Sequence, residues 1–178
     1  MQPIKFETPR GMAIIREART TDVLQYRDLR LFALQNAPTA FSADYQTNLS
    51  RPMSFWENRL QPDEDSTIFF AEHENHLIGM TGIRRRESLK TRHGADVLSV
   101  FVHPEWRGLH IAEKILEACV SWGIARNVNI LKLGVMATNI SAVRLYERCG
   151  FEIYGTEPRD VFYEGNYYDL HLMYKLIA

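Results

Sequence analysis

Residues 100–112 read VFVHPEWRGLHIA and join two kinds of local structure. The β-branched and aromatic residues at the start predict a strand that ends at His103, and Pro104 opens a short turn. A helix is predicted to begin after Arg107 and Gly108. The first amides of a helix have no partner within it, and the helix dipole is positive there. This strand–helix junction therefore predicts an anion-binding site.

The composition is that of a single globular domain. Of the 178 residues, 46% are hydrophobic and 24% are charged, and the formal net charge is −1. A chain of this length can bury a sizeable core as one unit. Because the net charge is close to zero, neither a nucleic acid nor a membrane is predicted as a partner.

Cysteine usage and the N-terminal residues predict a cytoplasmic protein. Cys119 and Cys149 show no CxxC spacing, so we expect two reduced, buried thiols and no disulfide or metal site. No apolar run approaches the roughly 20 residues that span a bilayer. The first residues, MQPIKFETPRGM, lack the apolar segment of a signal peptide. We expect residues 1–12 to be a short extension and residues 13–178 to form the domain.

Periodicity of the apolar residues predicts alternating strands and helices. Capping residues and helical spacing predict helices at 22–35, 53–60, 109–126 and 141–149. Clusters of β-branched and aromatic residues predict strands at 13–19, 67–71, 76–83, 96–103, 129–136, 151–156 and 167–176. This order predicts an α/β or α+β fold with a mixed sheet of about six to seven strands in one domain.

A basic segment, RRRESLKTRHG at residues 84–94, lies between two of the predicted strands. The ordinary interpretation is a solvated turn between strands. A surface that faces phosphate or an acidic substrate is the less favoured alternative.

Three segments of the second half carry a family resemblance. Residues 107–112, RGLHIA, resemble the pattern Arg/Gln-x-x-Gly-x-Gly/Ala, with His110 where glycine is most frequent. Residues 139–151, NISAVRLYERCGF, resemble a second pattern in which Asn opens a helix and Leu-Tyr precedes Gly-Phe. Residues 165–173, GNYYDLHLM, resemble a final strand. Together and in this order, they resemble the GCN5-related N-acetyltransferase (GNAT) superfamily.

The resemblance implies a GNAT-like fold with a mixed, mostly antiparallel central sheet flanked by helices. It also implies acetyl-CoA as co-substrate and no metal. Its pantetheine arm would pair with the strand before the junction, and its pyrophosphate would bind the amides of the helix N-terminus. The residues so implied are Val100, Phe101, Val102, Arg107, Gly108, Leu109, His110, Ile111, Ala112 and Asn139.

His110 departs from the pattern of the family. Glycine at this position lets the backbone approach the pyrophosphate without a side chain in the way. We expect His110 to lie in the first turn of the helix, where an L-residue has no backbone strain, with its ring directed outward. A hydrogen bond from the ring to phosphate is the alternative.

Tyr146 is the residue that the resemblance implies for catalysis. A phenol is protonated at neutral pH and can donate to the departing thiolate of coenzyme A. A tyrosine that packs beside Leu145 and Phe151 in the core is the alternative. Asn139 is either a simple helix N-cap or also a cofactor ligand, and Cys149 is expected to be a core residue.

The general base cannot be read from the sequence. Candidates are residues that could accept a proton near the predicted site, and a water chain could replace them: Glu72, Asp96, Ser99, His103 and His171. None of the five stands in a pattern that favours it over the others.

The resemblance implies transfer of an acetyl group to an amine by direct attack in a ternary complex. The acceptor could be a small molecule, an amino acid or a protein amino group, and nothing in the sequence selects among them. A homodimer is frequent in similar proteins, although no feature of this sequence indicates one. The alternative function is a non-catalytic module that binds acyl-CoA.

Overall fold

The junction at residues 100–112 follows a central strand of an open, eight-stranded sheet, in a computed structural model that describes residues 2–177. The strands are β1 (Ile4–Thr8), β2 (Gly11–Glu17), β3 (Ser66–His73), β4 (His76–Arg85), β5 (Gly94–Val102), β6 (Ile130–Met136), β7 (Glu152–Tyr163) and β8 (Asn166–Leu176). Their spatial order is β1-β2-β3-β4-β5-β6-β8-β7. Neighbouring strands are antiparallel, except that β5 and β6 are parallel.

Five helices cover the two faces of the sheet. They are α1 (Val23–Asn36), α2 (Tyr45–Leu49), α3 (Met53–Arg59), α4 (Ile111–Ile124) and α5 (Ile140–Arg148). On one face, Ile115, Cys119 and Trp122 of α4 are buried against the strands. On the other face, Trp56 of α3 and the apolar side of α1 pack against Phe70. No helix within residues 2–177 is long and apolar enough to cross a membrane.

The mixed sheet flanked by helices confirms the predicted fold class, but the predicted number of strands was too low. The additional strand is β1, which pairs with β2 through the turn between Thr8 and Gly11. It falls within residues 1–12, which were expected to be a short extension. The boundary between extension and domain stays a prediction.

Local backbone conformation explains the turns on which this order depends. Glu74 and Asn75 join β3 to β4 with φ of 46° and 64°, as a type I′ hairpin requires. The segment at 84–94 is the connection between β4 and β5, and Arg86 there pairs with Asp96 at 2.9 Å. Its solvated, ion-paired character agrees with the ordinary interpretation.

The parallel pair in the middle of the sheet is short. Only Gly94, Ala95 and Asp96 of β5 pair with β6. Within the described residues, the remainder of β5 has a strand neighbour on the β4 side alone. The two strands therefore diverge after Asp96 and leave an open edge along residues 97–102.

Candidate active site

A cleft of about 560 Å³ opens where β5 and β6 diverge. Its wall includes Tyr146 and every residue predicted to bind the cofactor except one. The exception is Leu109, whose side chain packs against the core beneath α4. Sequence reasoning missed Phe41, which lies in the loop after α1 and forms the opposite wall.

The open edge of β5 presents backbone groups to this cleft. Ser99 has φ of 58°, and the pairing with β4 shifts between Leu98 and Phe101, which is a β-bulge. His103 N donates to Ile78 O on the β4 side. Because successive backbone groups alternate in direction, those of Val102 point to the open edge. An extended ligand can add to this edge as a further strand.

The start of α4 forms the far end of the cleft. The first backbone hydrogen bond of the helix runs from Lys114 N to His110 O at 3.1 Å. The amides of Ile111, Ala112 and Glu113 therefore have no partner within the helix. The side chain of His110 makes no capping hydrogen bond to them. These amides are available to an anion.

The prediction for the backbone of His110 was wrong. His110 precedes the helix as its N-cap, with φ of 59° and ψ of 15°, in the left-handed region. This position favours glycine because an L-residue there brings Cβ close to the backbone. The ring does point outward, since the side chain is 78% exposed. The sequence pattern located the residue but not the left-handed turn.

Replacing His110 with glycine is expected to stabilise the protein. Relief of the left-handed strain contributes roughly 1 kcal/mol, which corresponds to a rise in Tm of about 2–4 °C. Thermal unfolding without ligand measures this change. His110→Ala is the matched control, since alanine removes the ring but retains Cβ. An equal rise in both variants would contradict the backbone explanation.

The charges around the helix start are balanced. The Glu113 carboxylate lies in the first turn, where it would repel an anion, but Arg148 of α5 pairs with it at 3.2 Å. Arg107 turns back, and its Nε donates to Val102 O at 3.2 Å while Nη2 donates to Asn36 Oδ1 at 3.3 Å. The Arg107 side chain thus fixes the turn after β5.

Asn139 and Tyr146 lie on the wall formed by α5. The Asn139 side chain accepts a hydrogen bond from Ala142 N at 3.2 Å, as an N-cap does. Tyr146 is 6% exposed, with its ring edge-on to Phe151 at 6.0 Å. Burial, and to a smaller extent the nearby Cys149, raises the pKa of Tyr146 above its ordinary value. The hydroxyl therefore keeps its proton.

Cys149 does not have the properties of a nucleophile. Burial, together with the charge of Glu113, raises the pKa of its thiol, which keeps the thiol protonated. Among residues 2–177, no group of three or more His, Cys, Asp or Glu side chains could hold a metal ion.

The five candidate bases do not come together. Glu72 is paired with buried Arg16, Asp96 with Arg86, and His171 shares a hydrogen bond of 2.8 Å with Thr156. His103 stacks on the ring of Phe32 at 4.8 Å. Ser99 lies at the bulge of β5, beside the cleft.

A second cavity, of about 980 Å³, adjoins the bulge from the side of α1 and α3. Ser99 lines this cavity and Val100 lines the cleft, so the two spaces meet at consecutive residues of β5. Tyr26, Phe55 and Arg59 form its helical wall. Phe55 and Arg59 belong to the segment 32–60, whose aromatic residues suit a small amphipathic substrate or a plain core.

Comparison with known proteins agrees with this arrangement. Residues 30–151 match the model of the acetyltransferase (GNAT) family. An L-amino acid N-acetyltransferase from Escherichia coli (strain K12) is 26% identical over 165 residues, which are 90% of this chain and 95% of that protein.

Solved structures share the fold over nearly the whole chain. A GNAT-family acetyltransferase from Streptococcus pneumoniae has a TM-score of 0.79 at 24% identity, covering 93% of this chain and 99% of that one. A putative acetyltransferase from Salmonella typhimurium, solved with its cofactor acetyl-CoA, has a TM-score of 0.75 at 19% identity, covering 92% and 93%. The family match extends over more than half of the chain, and the protein belongs to the acetyltransferase (GNAT) family.

Proposed function

We propose that this protein transfers the acetyl group of acetyl-CoA to a primary amine by direct attack in a ternary complex. The observation that carries the proposal is one cleft that joins an unpaired strand edge, a helix start with free amides and a buried tyrosine hydroxyl. A module that only binds acyl-CoA would not need the tyrosine.

The groups present suit coenzyme A. The open edge of β5 at Val100 and Val102 would hold the pantetheine arm, with Phe101 between them. The amides of residues 111–113 would hold the pyrophosphate, and Gly108, with φ of 75°, shapes the preceding turn. Asn139 caps α5 through its oxygen, which leaves its side-chain nitrogen available to the arm.

Bound acetyl-CoA supplies the acetyl group as a thioester. Overall, a C–N bond forms, a C–S bond breaks, and one amine proton reaches the leaving sulfur. Backbone amides at the β5 bulge would stabilise negative charge on the carbonyl oxygen. The Tyr146 hydroxyl donates its proton to the sulfur and recovers a proton from solvent. A water chain in the second cavity removes the proton from the amine.

The acceptor enters from the second cavity, on the other side of the β5 bulge from the cofactor. A cavity of about 980 Å³ accommodates a small amine. The relative from Escherichia coli bears the name of an L-amino acid N-acetyltransferase, which supports an amino acid among the acceptors.

Two measurements test the proposal. Acetyl-CoA at about 100 times its Kd should stabilise the protein by about 2.7 kcal/mol, seen as a rise in Tm. Release of coenzyme A should depend on an added amine from a panel of small amines, amino acids and peptides. A rise in Tm without release for any amine would favour the binding module, and the absence of both would refute the proposal.

A further inference from the structure

The helical wall of the second cavity contains a cation that has no carboxylate partner. Arg59 Nε donates to the Tyr26 hydroxyl at 2.8 Å, and its guanidinium lies 5.6 Å from the ring centre of Phe55. Within residues 2–177, no Asp or Glu pairs with Arg59. Its two terminal nitrogens are left for a ligand, in the fork geometry that binds a carboxylate with two hydrogen bonds.

A second arginine, one helical turn beyond Tyr26, is buried without an acidic partner. Arg30 is 7% exposed, and its Nη1 has no hydrogen bond. Its guanidinium lies 4.5 Å from the ring centre of Phe41, a residue of the cofactor cleft. Burial lowers the pKa of Arg30, Tyr26 opposes this shift, and repulsion from Arg59 adds to it, so the positive charge of Arg30 is costly. The other buried arginine, Arg16, is paired with two acids. Among the described residues, no acid pairs with Arg30.

Arg59 lines the acceptor cavity, and Arg30 contacts Phe41 of the cofactor cleft. The acids of the cavity wall belong to β2 and to the loop after α3: Glu17, Asp63 and Glu64. Asp63 is engaged by Ser66 at 2.6 Å. Four arginines line the same cavity, Arg19, Arg59, Arg84 and Arg126, so bases outnumber acids in its wall. This balance disfavours a polyamine and favours an acceptor that carries a negative charge.

We infer that the acceptor is an amine that also bears a carboxylate, as an amino acid does. Arg59 binds the carboxylate, and Arg30 supplies a second positive charge behind it. The amino group then reaches the thioester at the β5 bulge. This inference rests on the proposed function.

The test compares each L-amino acid with its own carboxamide, with acetyl-CoA saturating and spermidine as a further acceptor. The two members of a pair have nearly the same shape, but the amide lacks the negative charge. Because its amino group is also less basic, kcat/KM is compared per unprotonated amine. We expect kcat/KM for the best amino acid to exceed that for its amide on the order of a hundredfold. In Arg59→Gln, KM for the amino acid should rise. The ratio of kcat/KM for the amino acid to kcat/KM for its amide should fall roughly tenfold or more. The KM for acetyl-CoA should not change.

Arg30→Met separates a binding role from a structural one. Because methionine fills a buried site without charge, this variant should raise Tm by a few degrees, about 2–4 °C. The variant should also lower the ratio of kcat/KM for the amino acid to kcat/KM for its amide. Arg51→Gln is the matched control, since Arg51 packs on the same Phe55 ring but does not line the cavity. It should keep the wild-type preference.

The outcomes distinguish failure of the carboxylate site from failure of the proposed acetyl transfer. Acetylation of amides or spermidine as efficiently as amino acids would overturn the carboxylate site and leave acetyl transfer standing. An unchanged ratio in Arg59→Gln would also overturn it. If the wild type acetylates no amine in the panel, the proposed function itself fails.

Discussion

Replacing Tyr146 with phenylalanine is expected to lower kcat about a hundredfold while the KM for acetyl-CoA stays near that of the wild type. In the proposed mechanism the hydroxyl acts only when the sulfur departs, whereas the ring makes the packing contacts. Burial raises the pKa of Tyr146, so the proton is present throughout the neutral range. Steady-state release of coenzyme A with a saturating amine measures the loss.

Phenylalanine keeps the edge-on contact with Phe151, so Tyr146→Phe should fold with an unchanged melting temperature. Tyr154→Phe is the control, because Tyr154 is 49% exposed on β7 and does not line the cleft. It should retain full activity. A Tyr146→Phe enzyme with wild-type kcat would remove tyrosine from the mechanism and leave solvent as the proton donor.

Replacing Asp22 with alanine is expected to cost about 3–5 kcal/mol of unfolding free energy. Asp22 is 5% exposed and accepts hydrogen bonds at 2.7 and 2.8 Å from Arg16, which is also 5% exposed. Its carboxylate further accepts from Arg19 N at 2.7 Å. Removing it leaves the Arg16 cation buried with the Glu72 carboxylate and the carbonyl oxygen of Glu17 as its remaining partners. Urea unfolding measures the difference.

Asp28→Ala is the matched control, in the helix α1 that begins directly after Asp22. The Asp28 side chain is 75% exposed and lies 3.6 Å from Arg27, so its loss should cost less than about 0.5 kcal/mol. Equal losses for the two variants would show that the buried pair contributes no more than a surface one.

The contribution of Asp22 should depend on pH. Burial alone would raise the pKa of this carboxyl, but hydrogen bonds from Arg16 and Arg19 hold it below the ordinary value of 3.8. A depressed folded-state pKa gives stability that is present above the unfolded pKa and is lost as the pH falls through the folded value. The difference between wild type and Asp22→Ala should therefore narrow in acid. A constant difference down to low pH would contradict this assignment.

Several parts of the site were predictable because they depend on local sequence. The strand and turn at 100–112 predicted a helix start with free amides, and α4 begins at Ile111. Asn139 was predicted to open a helix, and it caps α5. Capping and periodicity act over a few residues, so they can be read from the chain.

Other parts depend on contacts between distant segments. The bulge at Ser99 arises from the register of β5 against β4, and strand pairing is not visible in a single strand. Glu72 was a candidate base until the fold placed it against Arg16 of β2. Arg30 resembled any helical arginine, and only the packing of α1 against Phe41 showed that it is buried.

His110 shows a different limit. A histidine is compatible with a first helical turn, and the pattern did not distinguish that turn from the residue before it. The shift of one position changes the backbone from right-handed to left-handed. A histidine one position later, at the first residue of α4, would have a right-handed backbone and would carry no such strain.

The short pairing of β5 with β6 also affects the mechanics of the whole molecule. Strand pairing joins the β1–β5 half of the sheet to the β6–β8 half at Gly94 to Asp96, and backbone bonds from Asn129 N and Ile130 N to His93 O extend it by one residue. Motion of one half against the other is least restrained at the end where the strands diverge. A co-substrate bound as proposed would contact both halves, so we expect it to stiffen the domain before it reacts. Release of coenzyme A would then restore the relative motion of the two halves. We therefore expect the rigidity of the sheet to rise and fall once in each turnover.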